Sequence, residues 1–149
     1  GDGNNVARSL ALACSKFGMD MTIASPDGHT LDAETLSLAN EERTCLTLLS
    51  DPVEAVQGAH VVYTDTWVSM GDKDAENRHN MLAPFQVNDA LMARADKDAV
   101  FLHCLPAHRE EEVTSSVMDG PQSVVFDEAE NRMHTIKAVM LATLVDSYE

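Results

Sequence analysis

Positive charge is scarce in this 149-residue chain: ten lysines and arginines stand against 25 aspartates and glutamates, for a formal charge of -15. That balance repels a phosphate backbone or an anionic membrane face, so neither nucleic acid nor a membrane is an expected partner. Cysteine is sparse as well. Cys14, Cys45 and Cys104 are odd in number and show no CxxC spacing, which fits neither a disulfide framework nor a zinc knuckle. A reducing cytosol suits them, and a cytoplasmic location is expected. No run approaches the roughly 18 apolar residues of a membrane span, and the chain does not open with a basic stretch and apolar run of the secretory kind. Repeats, low-complexity tracts and linkers are absent too, and the length suits one domain able to bury roughly 68–70% of its unfolded surface.

What is present is alternation. Short β-branched runs follow amphipathic stretches, the pattern of a doubly wound, mostly parallel α/β sheet with helices on both faces. Val6, Leu10, Ala13, Cys14 and Phe17 recur at helical spacing before the helix stop Gly18. Strands are expected at Met19 to Ser25, Cys45 to Ser50, His60 to Thr64, Ala99 to His103 and, as a fifth, Ser123 to Phe126. A helix is expected from about Asp32 to Glu42, a short one capped by Asp51-Pro52, and one capped by Asn88 through about Ala95. "EEEVTSSVMDG" reads as a helix closed by Gly120, with Glu110, Glu111 and Glu112 its solvated start. Met133, Ile136, Met140 and Leu144 stripe a long closing helix. "GDGNN" looks like a strand-to-helix turn with no strand before it, so a first strand is expected just upstream of Gly1.

Polar clusters sit where the strands end, and ligands of open α/β sheets bind outside those carboxyl ends. Gly1-Asp2-Gly3 is half of a dinucleotide fingerprint, but Val6 replaces its third glycine; Asn4 and Asn5 can both donate to a carboxylate instead. In "HCLPAHR", His103, Cys104 and His108 lack a fourth metal ligand at suitable spacing, so no metal is expected. A cysteine-protease pairing is conceivable there, against the plain alternative of a satisfied strand-end histidine and a small buried cysteine. In "DEAENRMH", helix capping accounts for Glu128 and Glu130 but not for Arg132, read as a first-turn cation that wants an anion. "DTWVSMG" opens a connection running to about Asn88, far beyond the 2–6 residues common in such folds, with a short helix near Ala75 to Met81.

Taken in order, "GDGNN", "DTWVSMG", "HCLP" and "DEAENR" resemble the second domain of the ornithine carbamoyltransferase family over essentially the whole chain. The resemblance implies transfer of a carbamoyl group from carbamoyl phosphate to the side-chain amine of L-ornithine, in arginine metabolism and without a cofactor. It implies that residues 1–149 are the amino-acid-binding domain, and that a carbamoyl phosphate domain with a Ser-Thr-Arg-Thr-Arg loop, absent here, forms trimer contacts. Asn5, Asp65, Ser69 and Met70 would hold ornithine. Cys104, Leu105 and Arg132 would meet carbamoyl phosphate, with Cys104, Asp65 and Arg132 serving the chemistry and "SMG" closing over the amino acid. Cys104 would accept hydrogen bonds or the proton as thiol or thiolate. Rival readings are a carbamoyltransferase for putrescine, aspartate or an acylated ornithine, and a non-catalytic amino-acid-binding module.

Overall fold

A computed structural model describes residues 1–40, 45–68 and 75–144. Its first unit begins with helix α1 (Asn5–Phe17), which starts where the Asn4 side chain accepts from the Val6 and Ala7 amides at 2.9 and 3.1 Å. The helix ends at Gly18, whose φ of 71° is the left-handed conformation that glycine adopts without penalty. Strand β1 (Met21–Ala24) pairs in parallel with β2 (Leu46–Leu49), Met21 opposite Leu46 and Ala24 opposite Leu49. Helix α2 (Ala33–Ala39), capped by Asp32, lies against α1, and the Ser15 hydroxyl donates to the Ala39 carbonyl at 2.8 Å. Ala11, Ile23, Leu31 and Ala39 close this small core.

A second parallel pair follows the short helix α3 (Pro52–Ala55). Strand β3 (Val61–Thr64) runs beside β4 (Val100–His103), with Thr64 opposite His103, so both strands deliver their next residues to one edge. The β1–β2 and β3–β4 ladders are separate hydrogen-bonded pairs. Between β3 and β4 come α4 (Ala75–Leu82), a 3₁₀ turn at Ala83–Phe85, and α5 (Asp89–Met92), capped by Asn88 as its sequence predicts. Val62, Phe101, Val113 and Val125 anchor the main core, each worth roughly 1.5–3 kcal/mol when fully buried. Trp67, Leu82 and Phe85 form a third cluster beside it.

The chain ends in α6 (Ser115–Met118) and the 20-residue α7 (Val125–Leu144). Three expectations are corrected here. The fifth strand is a single bridge between Ser123 and Phe101, because α7 already begins at Val125 and takes the last two residues of "SVVF". The glutamate run is a turn preceding α6, with the helix confined to four residues, and Glu112 is wholly buried. Arg132 is the eighth residue of α7, beyond the first turn. The long closing helix is as expected, and its stripe is left largely open: Met133, Ile136, Met140 and Leu144 are 49–74% exposed.

Candidate active site

Asp65 follows β3 directly, and its carboxylate is the most heavily contacted group at the shared strand edge. Oδ2 accepts from Asn4 Nδ2 at 2.7 Å, which joins the turn before α1 to the end of β3. Oδ1 accepts from the Thr66 amide at 2.7 Å, the Thr66 hydroxyl at 3.1 Å and the Cys104 thiol at 2.8 Å. Burial works to raise the Asp65 pKa, but the bonds from Cys104, Asn4 and Thr66 outweigh it and hold the carboxyl below its usual range.

Cys104 follows β4, paired to β3, so the two residues meet because their strands run in register. Burial first, then the Asp65 hydrogen bond and charge, push the thiol up to about 12. At neutral pH it is therefore the protonated thiol, one of the two forms expected from the sequence, and it donates to Asp65. Tyr63, one residue inside β3, is pushed above the usual phenol range by its burial and by nearby Cys104 and Glu128.

His103 is the satisfied strand-end histidine of the plain reading. Its Nδ1 accepts from the Leu105 amide at 2.8 Å, which puts the ring proton of a neutral imidazole on Nε2, 3.1 Å from Glu112 Oε1. Glu128 in α7 accepts from the His103 amide at 2.9 Å. These contacts fix the turn after β4, where Leu105 takes a left-handed φ of 54°, sparsely populated by side-chain-bearing residues and often retained where a backbone must be aimed. Arg132 Nη1 reaches the Cys104 carbonyl at 3.5 Å, so α7 brings one cation to this edge.

Asn5 is the exposed first residue of α1, next to the Asn4 that holds Asp65. Ser69 and Met70 lie outside the described residues. The structure thus brings together Asp65, Cys104, Leu105 and Arg132 of the expected site, with Asn5 on its border. Sequence reasoning missed Glu112, hidden in an acidic run, and Arg78, whose Nε donates to the Trp67 carbonyl at 2.8 Å and whose Nη2 pairs with Asp2. Gly3 matters for the same turn: a Cβ there would stand 2.3 Å from the Thr30 backbone.

An exposed amine near Asp65 would meet a fixed negative charge, while the Cys104–Leu105 turn and Arg132 offer backbone and a cation to an anionic group. Residues 1–143 match a family described as aspartate/ornithine carbamoyltransferase, Asp/Orn binding domain. The chain is 54% identical over 142 residues to an ornithine carbamoyltransferase of Cereibacter sphaeroides, covering 94% of this chain and 46% of that protein. One from Rhodopseudomonas palustris is 54% identical over 140 residues, at 94% and 45% coverage. The solved ornithine carbamoyltransferase of Pyrococcus furiosus superposes with a TM-score of 0.92 at 47% identity, over 99% of this chain and 49% of that one. The chain spans a little under half the length of these relatives.

Proposed function

The chain belongs to the aspartate/ornithine carbamoyltransferase family, as an Asp/Orn binding domain, and we propose that it is the amino-acid-binding half of an enzyme that carbamoylates L-ornithine. The observation that carries this reading is Asp65, an ionised carboxylate fixed by Asn4 and Cys104 at the common edge of β3 and β4. It suits the α-ammonium of an amino acid. Asn5 would donate to the α-carboxylate, with Ser69 and Met70 as further contacts.

The side-chain amine of ornithine has a pKa near the lysine value of about 10.4 and must lose a proton before attacking the carbonyl carbon of carbamoyl phosphate. Backbone carbonyls of the Cys104–Leu105 turn are suited to accept hydrogen bonds from the neutral amine and orient it, its proton having passed to water, while Asp65 acts on that turn through its bond to Cys104. The Cys104 thiol, held as a donor, orients Asp65 and is no covalent nucleophile. Arg132 would stabilise charge on the tetrahedral intermediate and on the departing phosphate. The remaining cations, the phosphate loop and trimer contacts would come from a carbamoyl phosphate-binding half, for which the exposed stripe of α7 is a fitting surface. Carbamoyl phosphate and ornithine are then the substrates and the cytoplasm the compartment; among the described residues no helix is long and apolar enough to cross a membrane.

Calorimetry of L-ornithine with the full-length protein and its Asp65→Asn variant tests this. The variant should bind roughly tenfold or more weakly, since a charge-assisted hydrogen bond contributes about 1.5–3 kcal/mol. Equal affinity would remove Asp65 from the site and the reading with it.

A further inference from the structure

Glu112 is fully buried, yet only one of its carboxylate oxygens is satisfied. Oε1 accepts from His103 Nε2 at 3.1 Å and from the His108 amide at 2.6 Å. Oε2 finds no hydrogen-bond partner among the described residues and faces His108 Nδ1 at 3.7 Å, too far for a hydrogen bond. A buried carboxylate oxygen left without a partner is costly, so its open lone pairs call for an electrophile.

The surroundings supply the rest of a ligand set. Single ligand atoms of His108, Glu111 and Glu112 all lie within 4.8 Å of one another. We infer that the turn after β4 carries a divalent-cation site of the Zn²⁺ type, formed by His108, Glu111 and Glu112.

Zinc bonds of about 2.1 Å set neighbouring tetrahedral ligand atoms about 3.4 Å apart. The His108–Glu112 separation of 3.7 Å already approximates one such edge. His79 on α4, with Nδ1 3.6 Å from Glu111 Oε2, stands near enough to bring a second imidazole as fourth ligand. Imidazole nitrogen combined with carboxylate oxygen suits Zn²⁺ better than the hard, all-oxygen ions Mg²⁺ and Ca²⁺. Access is graded: the Glu112 side chain is 0% exposed and that of His108 50%, so an ion can enter from solvent and end on the buried oxygen. The bonds to Oε1 act as the outer shell that aims a metal-binding carboxylate. The group shares no residue with Asp65, Cys104 and Arg132, but through His103 it adjoins the turn that carries Cys104.

Calorimetry with zinc chloride on the chelator-treated full-length protein near neutral pH should show one ion bound per chain through this site, not displaced by magnesium. His108→Ala and Glu111→Gln change solvent-accessible side chains, so the fold should tolerate both. Each should weaken Zn²⁺ binding by at least about tenfold, because even outer-shell partners of a metal contribute 10–100-fold. Cys104→Ser, which removes the nearest thiol, should leave this binding unchanged. Failure to bind Zn²⁺ would overturn the proposal. Binding that survives both substitutions, or that Cys104→Ser abolishes, would overturn it equally.

Discussion

The Cys104 thiol donates to Asp65 Oδ1 at 2.8 Å, across the carboxyl ends of two parallel strands in which Thr64 lies opposite His103. The pairing register is what makes the contact. Each residue is the first beyond its strand, so a slip of one position in either would turn one side chain to the other face. The bond works in both directions, keeping the thiol protonated and the carboxylate charged.

That coupling predicts slow thiol chemistry. Alkylation of Cys104, followed by peptide mapping, should be at least about tenfold slower at pH 8 than that of exposed Cys45, since only the thiolate reacts. Its rate should still be climbing at pH 10 without a plateau, and Asp65→Asn should accelerate it. A plateau near pH 9 would show that Asp65 and burial do not govern the thiol.

The same shift predicts a stability change with a definite sign. A thiol whose folded pKa is raised from about 9 to about 12 binds its proton more tightly when folded. Its contribution is therefore complete below pH 9 and is lost as pH rises toward 12. Denaturant titrations of the parent and Cys104→Ser proteins between pH 9 and 11 should diverge, the parent losing stability faster. Parallel pH profiles would contradict this. In the full-length protein the same substitution should lower turnover more than it weakens ornithine binding.

Arg132 offers a cleaner separation of chemistry from folding. It is exposed on α7 and, among the described residues, meets the site at the Cys104 carbonyl, 3.5 Å away. Arg132→Gln should change unfolding free energy by no more than about 0.5 kcal/mol. It should lower citrulline formation by the full-length protein about 10²–10³-fold, as loss of one charge-stabilising donor does elsewhere. Unchanged turnover would remove Arg132 from the reaction.

The parallel α/β character and helix caps at Asp51 and Asn88 were legible because each rests on local chemistry: β-branched runs, a capping side chain, a glycine stop. So was the meeting of Asp65 and Cys104, since strand ends in such sheets share one edge; Arg132 comes to that edge from the middle of α7, which no strand end marks. Glu112 was not. Three consecutive glutamates read as solvated charge, and nothing local marks the one that turns inward to meet His103 nine residues earlier. "SVVF" failed for a related reason: a short apolar run carries the same signal whether it enters a strand or the buried start of a helix.

Burial of Glu112 predicts a substitution cost that an exposed glutamate would not have. Glu112→Ala leaves the His103 imidazole N–H and the His108 amide without their acceptor, at about 1–3 kcal/mol each. Glu112→Gln keeps an acceptor oxygen where Oε1 stands and should cost clearly less. Equilibrium unfolding of both variants decides the matter, and an alanine variant as stable as the parent would refute the contact.

Arg78 links elements that no short-range pattern connects. Its Nε donates to the Trp67 carbonyl beyond β3, while Nη2 pairs with Asp2 in the turn that carries Asn4 and Asn5. Two acceptors in different directions need a forked donor; a lysine ammonium on its flexible stem reproduces only one of these contacts well. Arg78→Ala should therefore destabilise the protein by about 1.5–3 kcal/mol, the worth of a charge-assisted bond. Arg78→Lys should recover only part of that loss. Because the turn and the end of β3 hold Asn4 against Asp65, both variants should raise the KM for ornithine in the full-length protein more than they lower kcat. Thermal unfolding together with steady-state kinetics checks both parts. Full rescue by lysine would show that charge alone, and not the fork of the guanidinium, ties the turn to the strand.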